Sequence, residues 1–242
     1  ELEMARIVQT QLFPESIPPV PGYDIAARNQ PATDLSGDYY DARLLPDGRL
    51  IFLIGDATGH GVSAALAMAM AKATFSYYVS RPVFSFDDLV RGLNRVFHLE
   101  LRSTRKYMTV SIGLLDPRTH TLEIRNAGHN FPFLFRAATG TIIVPDMPGF
   151  VLGMRPKLRV PIERLSFEPE DLIVFYTDGY SECVLKDGGF FGEKPLAELI
   201  RSHALNRVSS PALIDLLFSR LEEVRQPGPM ADDVTFIAIR RT

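Results

Sequence analysis

Residues 50–70 read LIFLIGDATGHGVSAALAMAM, and the rest of the chain is arranged around this stretch. The run 50–54 is apolar and rich in branched and aromatic side chains, which is typical of a buried strand. Asp56 ends the strand, and a turn rich in glycine and a helix of small residues follow it. A strand tip, an acid and a helix N-terminus therefore lie together. They indicate either a site for a metal ion that carries a phosphate, or an aspartate that only caps a turn.

A second acidic stretch, SGDYYD at 36–41, lies just upstream. The turn LPDG at 45–48 follows it, so we predict that 38–45 and 49–55 pair as a hairpin. Asp38 and Asp56 both fall at the ends away from the turn. The hairpin therefore predicts that their two carboxylates are neighbours, in a register set by the turn.

Two more aspartates stand at the tips of predicted strands, Asp178 after 172–176 and Asp232 before 234–240. Taken singly, each of these acids is most simply a turn residue. Four converging carboxylates are different, because unit charges ~4 Å apart repel by about 4 kcal/mol at an effective dielectric near 20. Such a cluster holds protons or cations. Without Cys or His ligands the cations are Mg²⁺ or Mn²⁺ rather than structural zinc, and two such ions activate water against a phosphoryl group.

Composition limits the function classes. The chain has 242 residues, 46% of them hydrophobic and 23% charged, as expected for a globular domain with a core. The net charge of −3 gives no reason to expect nucleic acid or an anionic membrane as a partner. The single cysteine, Cys183, excludes an internal disulfide and fits a reducing compartment, so we expect a cytoplasmic protein.

About ten predicted strands, mostly linked as hairpins, and two helix pairs near 62–100 and 193–225 indicate an α+β layered fold. Residues 1–13 are predicted to form a helix, and the proline-rich 14–22 an extended linker. We therefore divide the chain into a linker, 1–22, and a domain, 23–242. The helix is either the end of a coiled coil from an upstream domain or a helix lying on this domain's own core. The first residue is Glu1, not Met, which suggests a segment of a longer protein.

Five short motifs occur in a fixed order. They are SGDYYD at 36–41, GDATGHG at 55–61, NAGHN at 126–130, YTDG at 176–179 and DDVTFIAIR at 232–240. In this order they resemble the metal-dependent protein serine/threonine phosphatases (PPM superfamily, type-2C-like), in the bacterial SpoIIE-like branch. The resemblance covers nearly the whole chain. It implies two stacked antiparallel β-sheets flanked by helix pairs, an αββα sandwich.

The resemblance also implies a site with two Mn²⁺ or Mg²⁺ ions. Asp56 would bridge the ions, Asp38 would bind one of them, and Asp178 and Asp232 would bind the other. The backbone carbonyl of Ala57 would add an oxygen ligand. A hydroxide held by both metals would then attack phosphoserine or phosphothreonine directly, which makes the four aspartates the catalytic candidates.

Several neighbouring residues fit the family pattern less closely. Asp233 is a further metal-ligand candidate. Asp233 and Asp41 alternatively orient the waters of a metal, lie in solvent or cap a strand. Thr58 stands where eukaryotic members have a histidine, and His60 is expected to be a turn residue. Arg28 is the nearest candidate for the phosphate-gripping arginine of eukaryotic members. His129 is expected to brace the sheet through hydrogen bonds.

The resemblance implies partners as well. The substrate would be a phosphorylated regulatory protein of the anti-sigma-factor antagonist type, in a bacterial stress response. An upstream sensory domain in the same chain would control the enzyme, and the N-terminal helix offers a possible homodimer contact. We expect no nucleic acid partner and no membrane contact by this segment. The alternatives are a catalytically silent phosphatase-like signalling or binding module, and a two-metal hydrolase of another class, such as a nuclease.

Overall fold

Two five-stranded antiparallel β-sheets lie face to face in the computed structural model, which describes all 242 residues. The strands are β1 (Tyr23–Gln30), β2 (Asp38–Leu44), β3 (Leu50–Ala57), β4 (Met108–Asp116), β5 (Thr121–Ala127), β6 (Phe133–Arg136), β7 (Thr141–Ile143), β8 (Glu163–Ser166), β9 (Leu172–Tyr176) and β10 (Val234–Arg241). One sheet has the order β1-β10-β9-β6-β7 and the other β2-β3-β4-β5-β8.

The fold has six α-helices, and two pairs of them cover the outer faces of the sheets. They are α1 (Leu2–Thr10), α2 (Val62–Val79), α3 (Phe86–Glu100), α4 (Asp178–Ser181), α5 (Glu193–Leu205) and α6 (Ser210–Val224). α2 and α3 pack on the sheet that contains β3, while α5 and α6 pack on the sheet that contains β10. The predicted α+β class, with two stacked sheets flanked by helix pairs, is confirmed.

Three apolar layers hold the sandwich together. The central layer lies between the sheets, where the rings of Phe52 and Phe175 meet edge to face with centroids 5.1 Å apart. The outer layers lie under the two helix pairs. β3 is covered on both faces, and this explains why its sequence is continuously apolar rather than alternating.

α2 shows why its sequence is made of small residues. Ala64, Ala67 and Ala71 are buried where the helix packs on the sheet beside β2 and β3. Alanine side chains let the helix backbone approach the strands closely. The helix that follows, α3, starts at the predicted cap, since the hydroxyl of Ser85 accepts a hydrogen bond from the amide of Asp88.

The structure differs from the sequence prediction in three local places. β5 continues through Ala127, so the predicted turn at 126–130 starts later, because Asn126 still pairs with Ser111 on β4. The short helix α4 was not predicted, since four residues give no helical periodicity. α1 ends at Thr10, earlier than the predicted 13.

The second half of the N-terminal segment, residues 1–22, packs against the domain. Leu12 and Phe13 pack against the layer under α2 and α3, and Ile17 and Val20 against the layer between the sheets. α1 keeps four large apolar side chains exposed, namely Leu2, Met4, Ile7 and Val8. The division of the chain at residue 22 stays a prediction. None of the helices combines the length and apolarity needed to cross a bilayer.

Candidate metal centre

The two aspartates of the β2–β3 hairpin lie directly opposite each other. Asp38 pairs with Asp56 in the antiparallel ladder, as the hairpin prediction required. Asp38 is buried and Asp56 is partly buried. Like charges at directly opposed positions destabilise a sheet. A pair of this kind at a strand tip therefore indicates a function other than stability.

The second sheet reaches this pair through two threonines. The hydroxyls of Thr177 and Thr235 both donate to Oδ2 of Asp38, at 2.7 and 2.6 Å. Thr177 immediately precedes Asp178, and Thr235 lies three residues after Asp232. The tips of β9 and β10 thus meet the tip of β2, although the residues are far apart in the chain.

A close backbone approach completes the assembly. A Cβ atom on Gly179 would lie 2.0 Å from the carbonyl oxygen of Asp233, so only glycine fits between α4 and the start of β10. This contact brings Asp178 next to the acids that precede β10. The negative charge of Asp178 accordingly helps to raise the pKa of Asp232, after the larger effect of burial.

The electrostatics of the four aspartates are those of an uncompensated cluster. Burial, together with the smaller effects of the charges of Asp178, Asp232 and Asp233, raises the pKa of Asp56 to about 8. Burial also raises the pKa of Asp38 well above its usual range, and the charge of Asp56 adds to the effect. None of the ion pairs in the molecule involves Asp38, Asp56, Asp178 or Asp232.

Such a donor set fits hard divalent cations, which prefer carboxylate and carbonyl oxygens. No three His, Cys, Asp or Glu side chains are arranged so that they would hold one ion by themselves. An ion in this place would therefore also need backbone carbonyl and water oxygens, a mixture that Mg²⁺ commonly accepts. The carbonyl oxygen of Ala57 lies next to Gly37. A Cβ atom on Gly37 would be 3.1 Å from this oxygen.

Asp233 is bound differently from its neighbours. Its Oδ1 accepts from the amide of Ala32 at 2.7 Å, and its Oδ2 accepts from the amide of Gly37 at 2.6 Å and the hydroxyl of Ser36 at 3.0 Å. A longer bond of 3.4 Å comes from the amide of Asp38. Four donors fill the acceptor positions of a carboxylate. The structure thus favours an orienting role for Asp233 over metal ligation.

Asp41 does not point to the metal centre. It is fully buried and accepts from Nζ of Lys72 at 2.6 Å, from the hydroxyl of Tyr39 and from Nε of Arg43. The backbone amide of Ala42 donates a fourth hydrogen bond, to Oδ1 of Asp41. The suggestion that Asp41 orients the waters of a metal is therefore wrong; the side chain joins β2 to α2.

The residues suggested for phosphate binding are also placed differently. Arg28 lies 3.3 Å from Asp215 and stacks over the ring of Phe218, both on α6, so it does not grip phosphate at this site. A lysine that the motifs did not indicate, Lys106, lies beside the loop of the site. Nζ of Lys106 donates to the carbonyl of Thr58 at 2.7 Å, in the loop that follows Ala57. Lys106 belongs to no motif, and only the fold brings it there.

His129 supports the site through hydrogen bonds, as the sequence predicted. It is buried, and its Nδ1 lies 2.8 Å from the hydroxyl of Thr109, the residue opposite Asp56 on β4. The backbone N–H and C=O of His129 are both bonded to the side chain of Asn126. Burial lowers the pKa of His129 to about 4, so the ring is neutral at pH 7. It holds the turn and the β4 side of the site.

Comparison with known proteins identifies the family of this chain. The sequence profile of "Stage II sporulation protein E (SpoIIE)" matches residues 46–242. The chain belongs to the SpoIIE family. Four of the five motifs fall inside the matched range. The resemblance inferred from the motifs is confirmed.

Two related proteins align with the whole length of this chain. It is 28% identical to phosphoserine phosphatase RsbU of Bacillus subtilis over 243 residues, which are 100% of this chain and 70% of RsbU. It is 26% identical to protein IcfG of Synechocystis sp. over 100% of this chain but only 41% of IcfG. The crystal structure of the RsbU and RsbW domains of Rv1364c from Mycobacterium tuberculosis superposes with a TM-score of 0.77 at 30% identity, over 96% of this chain and 63% of that one.

Proposed function

We propose that this SpoIIE-family domain is a metal-dependent phosphatase that removes phosphate from phosphoserine or phosphothreonine on a regulatory protein. The observation that carries the proposal is the in-register pair of Asp38 and Asp56, joined by the tips of β9 and β10 through Thr177 and Thr235. The similarity to RsbU, a phosphoserine phosphatase, supports the reaction class.

The residues that would hold the ions are the unpaired acids of the cluster. Asp56 is central, with Asp38 on one side and Asp178 and Asp232 on the other, and the carbonyl of Ala57 adds an oxygen. We propose two ions per site, Mn²⁺ or Mg²⁺. When bound, such ions supply the positive charge that activates a water molecule and neutralises a phosphoryl group.

The remaining residues of the site prepare this arrangement. The two threonine hydroxyls favour the ionised form of Asp38, because they bond to its carboxylate oxygen. Asp233 fixes the loop that leads into β2, and the neutral His129 supports the strand opposite Asp56. Each of them acts on the position or charge of a ligand rather than on the substrate.

The proposed partners follow from the exposed surface and the relatives. The substrate would be a phosphorylated protein of the anti-sigma-factor antagonist type, in the cytoplasm. The apolar side of α1 lines a groove with Val62 and Leu66 of α2, which are also exposed. A coiled coil from an upstream sensory domain, or the α1 helix of a second copy, would cover this groove. Where the α1 helix of a second copy covers the groove, Val8→Glu should lower the dimer fraction in sedimentation.

The experiment is hydrolysis of a phosphoserine peptide and a phosphoserine protein with added Mn²⁺ or Mg²⁺. We expect activity that EDTA removes and that Asp56→Asn abolishes. Asp47→Asn, an acid in the turn of the same hairpin, is the matched control and should remain active. Metal binding without hydrolysis would favour the silent module, and cleavage of nucleic acid alone would favour another class of hydrolase.

A further inference from the structure

Gln9 is the one buried residue of an otherwise exposed helix. Only 7% of its surface is exposed, whereas the rest of α1 faces solvent. Its side-chain amide makes two hydrogen bonds with the backbone of Ser36, 27 residues away. Nε2 donates to the Ser36 carbonyl at 2.7 Å, and Oε1 accepts from the Ser36 amide at 2.9 Å. The amide therefore satisfies both backbone polar groups of one buried residue, Ser36.

Ser36 lies in the segment that delivers Asp38 to the site. β1 ends at Gln30 and β2 begins at Asp38, so residues 31–37 have no strand partner to fix them. The hydroxyl of Ser36 donates to Oδ2 of Asp233, and the next amide, of Gly37, binds the same oxygen. Two further bonds hold the same two residues: the amide of Ala57 donates to the carbonyl of Gly37 at 3.3 Å, and Nδ2 of Asn29 donates to the hydroxyl of Ser36 at 3.1 Å. Gln9 alone binds the backbone amide and carbonyl of Ser36.

We infer that Gln9 is a positioning residue of the metal centre. Its amide fixes the Ser36 peptide, and this in turn fixes the backbone from which Asp38 projects between Asp56 and the two threonines. α1 is then part of the support of the metal site, although it touches none of the four acids. This inference rests on the proposed function, because it assumes that Asp38 holds a divalent ion.

The loss of these two hydrogen bonds has a large effect because the amide and carbonyl of Ser36, which they satisfy, are buried. A buried amide or carbonyl left without a partner is costly, because it has lost its hydrogen bond to water and gained none in the fold. Without the Gln9 amide, the Ser36 peptide would turn toward water, and Asp38 would move with it. A purely structural role would predict something else, namely a lower melting temperature with unchanged metal affinity.

The test compares Gln9→Met with Gln11→Met in the full chain. Methionine keeps the length of the side chain but has no amide, and Gln11 is an exposed glutamine two residues further on. Mn²⁺ binding is measured by calorimetry, and thermal unfolding reports whether each variant folds. We expect Gln9→Met to bind Mn²⁺ about tenfold more weakly, a fold-change equal to about 1.4 kcal/mol. Gln11→Met should bind as the wild type does.

Activity gives an independent readout. For Gln9→Met, the Mn²⁺ concentration for half-maximal phosphoserine hydrolysis should rise by the same factor, while kcat at saturating Mn²⁺ stays within about twofold of wild type. Gln9→Glu keeps only the acceptor for the Ser36 amide, so its Mn²⁺ affinity should fall between those of wild type and Gln9→Met. If Gln9→Met destabilises the fold too far, Gln9→Glu takes its place in the comparison.

Wild-type Mn²⁺ affinity in Gln9→Met, or an equal loss in Gln11→Met, would overturn the inference. Failure of the proposed function gives a different result. A wild-type chain that binds Mn²⁺ but releases no phosphate refutes the phosphatase and leaves the effect of Gln9 on Mn²⁺ affinity measurable. A wild-type chain that binds no Mn²⁺ refutes both.

Discussion

Asp38 offers the clearest case at the scale of single residues, because one of its oxygens accepts both threonine hydroxyls. Its Oδ2 takes the hydroxyls of Thr177 and Thr235, and Oδ1 receives no hydrogen bond from the protein. The first oxygen is thereby held in place, and the second is free for another ligand. The carboxylate is therefore oriented before any ion arrives, which lowers the cost of binding one.

Thr235→Val should weaken Mn²⁺ binding roughly tenfold at pH 7, since it removes one hydrogen bond to a charged group and leaves the shape nearly unchanged. The measurement is an Mn²⁺ titration followed by calorimetry. Thr119→Val, in an exposed turn, is the control and should bind normally. Equal affinity of Thr235→Val and wild type would show that this hydroxyl does not orient Asp38.

His129 makes a prediction about pH. Its pKa is about 4 in the fold and 6.5 when unfolded, so the unfolded chain binds more protons between these values. The stability that depends on neutral His129 is complete above pH 6.5 and is lost as the pH falls toward 4. From pH 7 to 5, the free energy of unfolding should drop by about 2 kcal/mol more for wild type than for His129→Gln.

The comparison is made by urea unfolding in EDTA, so that metal binding does not contribute. The difference between wild type and variant isolates His129 from the acidic cluster, whose raised pKa values act with the opposite sign over this range. Parallel stability curves for the two proteins would contradict a buried, neutral histidine.

At the scale of elements, one buried ion pair joins α2 to β2. Lys72 of α2 lies 2.6 Å from Asp41 of β2, and the two side chains are 13% and 0% exposed. Lys72→Met should lower the free energy of unfolding by roughly 3 kcal/mol, because it leaves a buried carboxylate without its main cation. Chemical denaturation measures the loss.

The matched control is Arg49→Met, which breaks the exposed pair of Arg49 and Asp47 in the adjoining turn. It should cost below about 1 kcal/mol, as surface pairs do. A loss of the same size in both variants would mean that the Lys72 pair contributes no more than a surface pair.

The elements also show where sequence reasoning works. The β2–β3 hairpin was predictable because a Pro-Asp-Gly turn lies between two β-type runs, and its length fixed the pairing of Asp38 with Asp56. β9 was predicted at its observed bounds, Leu172–Tyr176, because a continuous apolar run is flanked by turn residues. The way in which Ser36 and Gly37 are held was not predictable, although they belong to the first motif, since their contacts come from Gln9 and Asp233, which lie elsewhere in the chain.

At the scale of the whole molecule, the sandwich explains why acids distant in sequence act together. Asp38 and Asp56 lie on one sheet, while Asp178 and Asp232 flank strands of the other, and stacking the sheets brings the tips into contact. Order and spacing of motifs revealed the four acids. They did not distinguish the proposed ligand Asp232 from the proposed support Asp233, because the two residues look alike in sequence and differ in their burial and hydrogen bonds in the fold.

The central claim is that four strand-tip aspartates form one divalent metal site. Its most direct test is equilibrium binding of Mn²⁺ to the metal-free wild type and to Asp56→Asn, with bound metal counted per chain by mass spectrometry or calorimetry. We predict two Mn²⁺ ions per wild-type chain and a loss of this binding in Asp56→Asn. A wild-type chain that stays empty at millimolar Mn²⁺, or an Asp56→Asn chain that binds as the wild type does, would contradict the account.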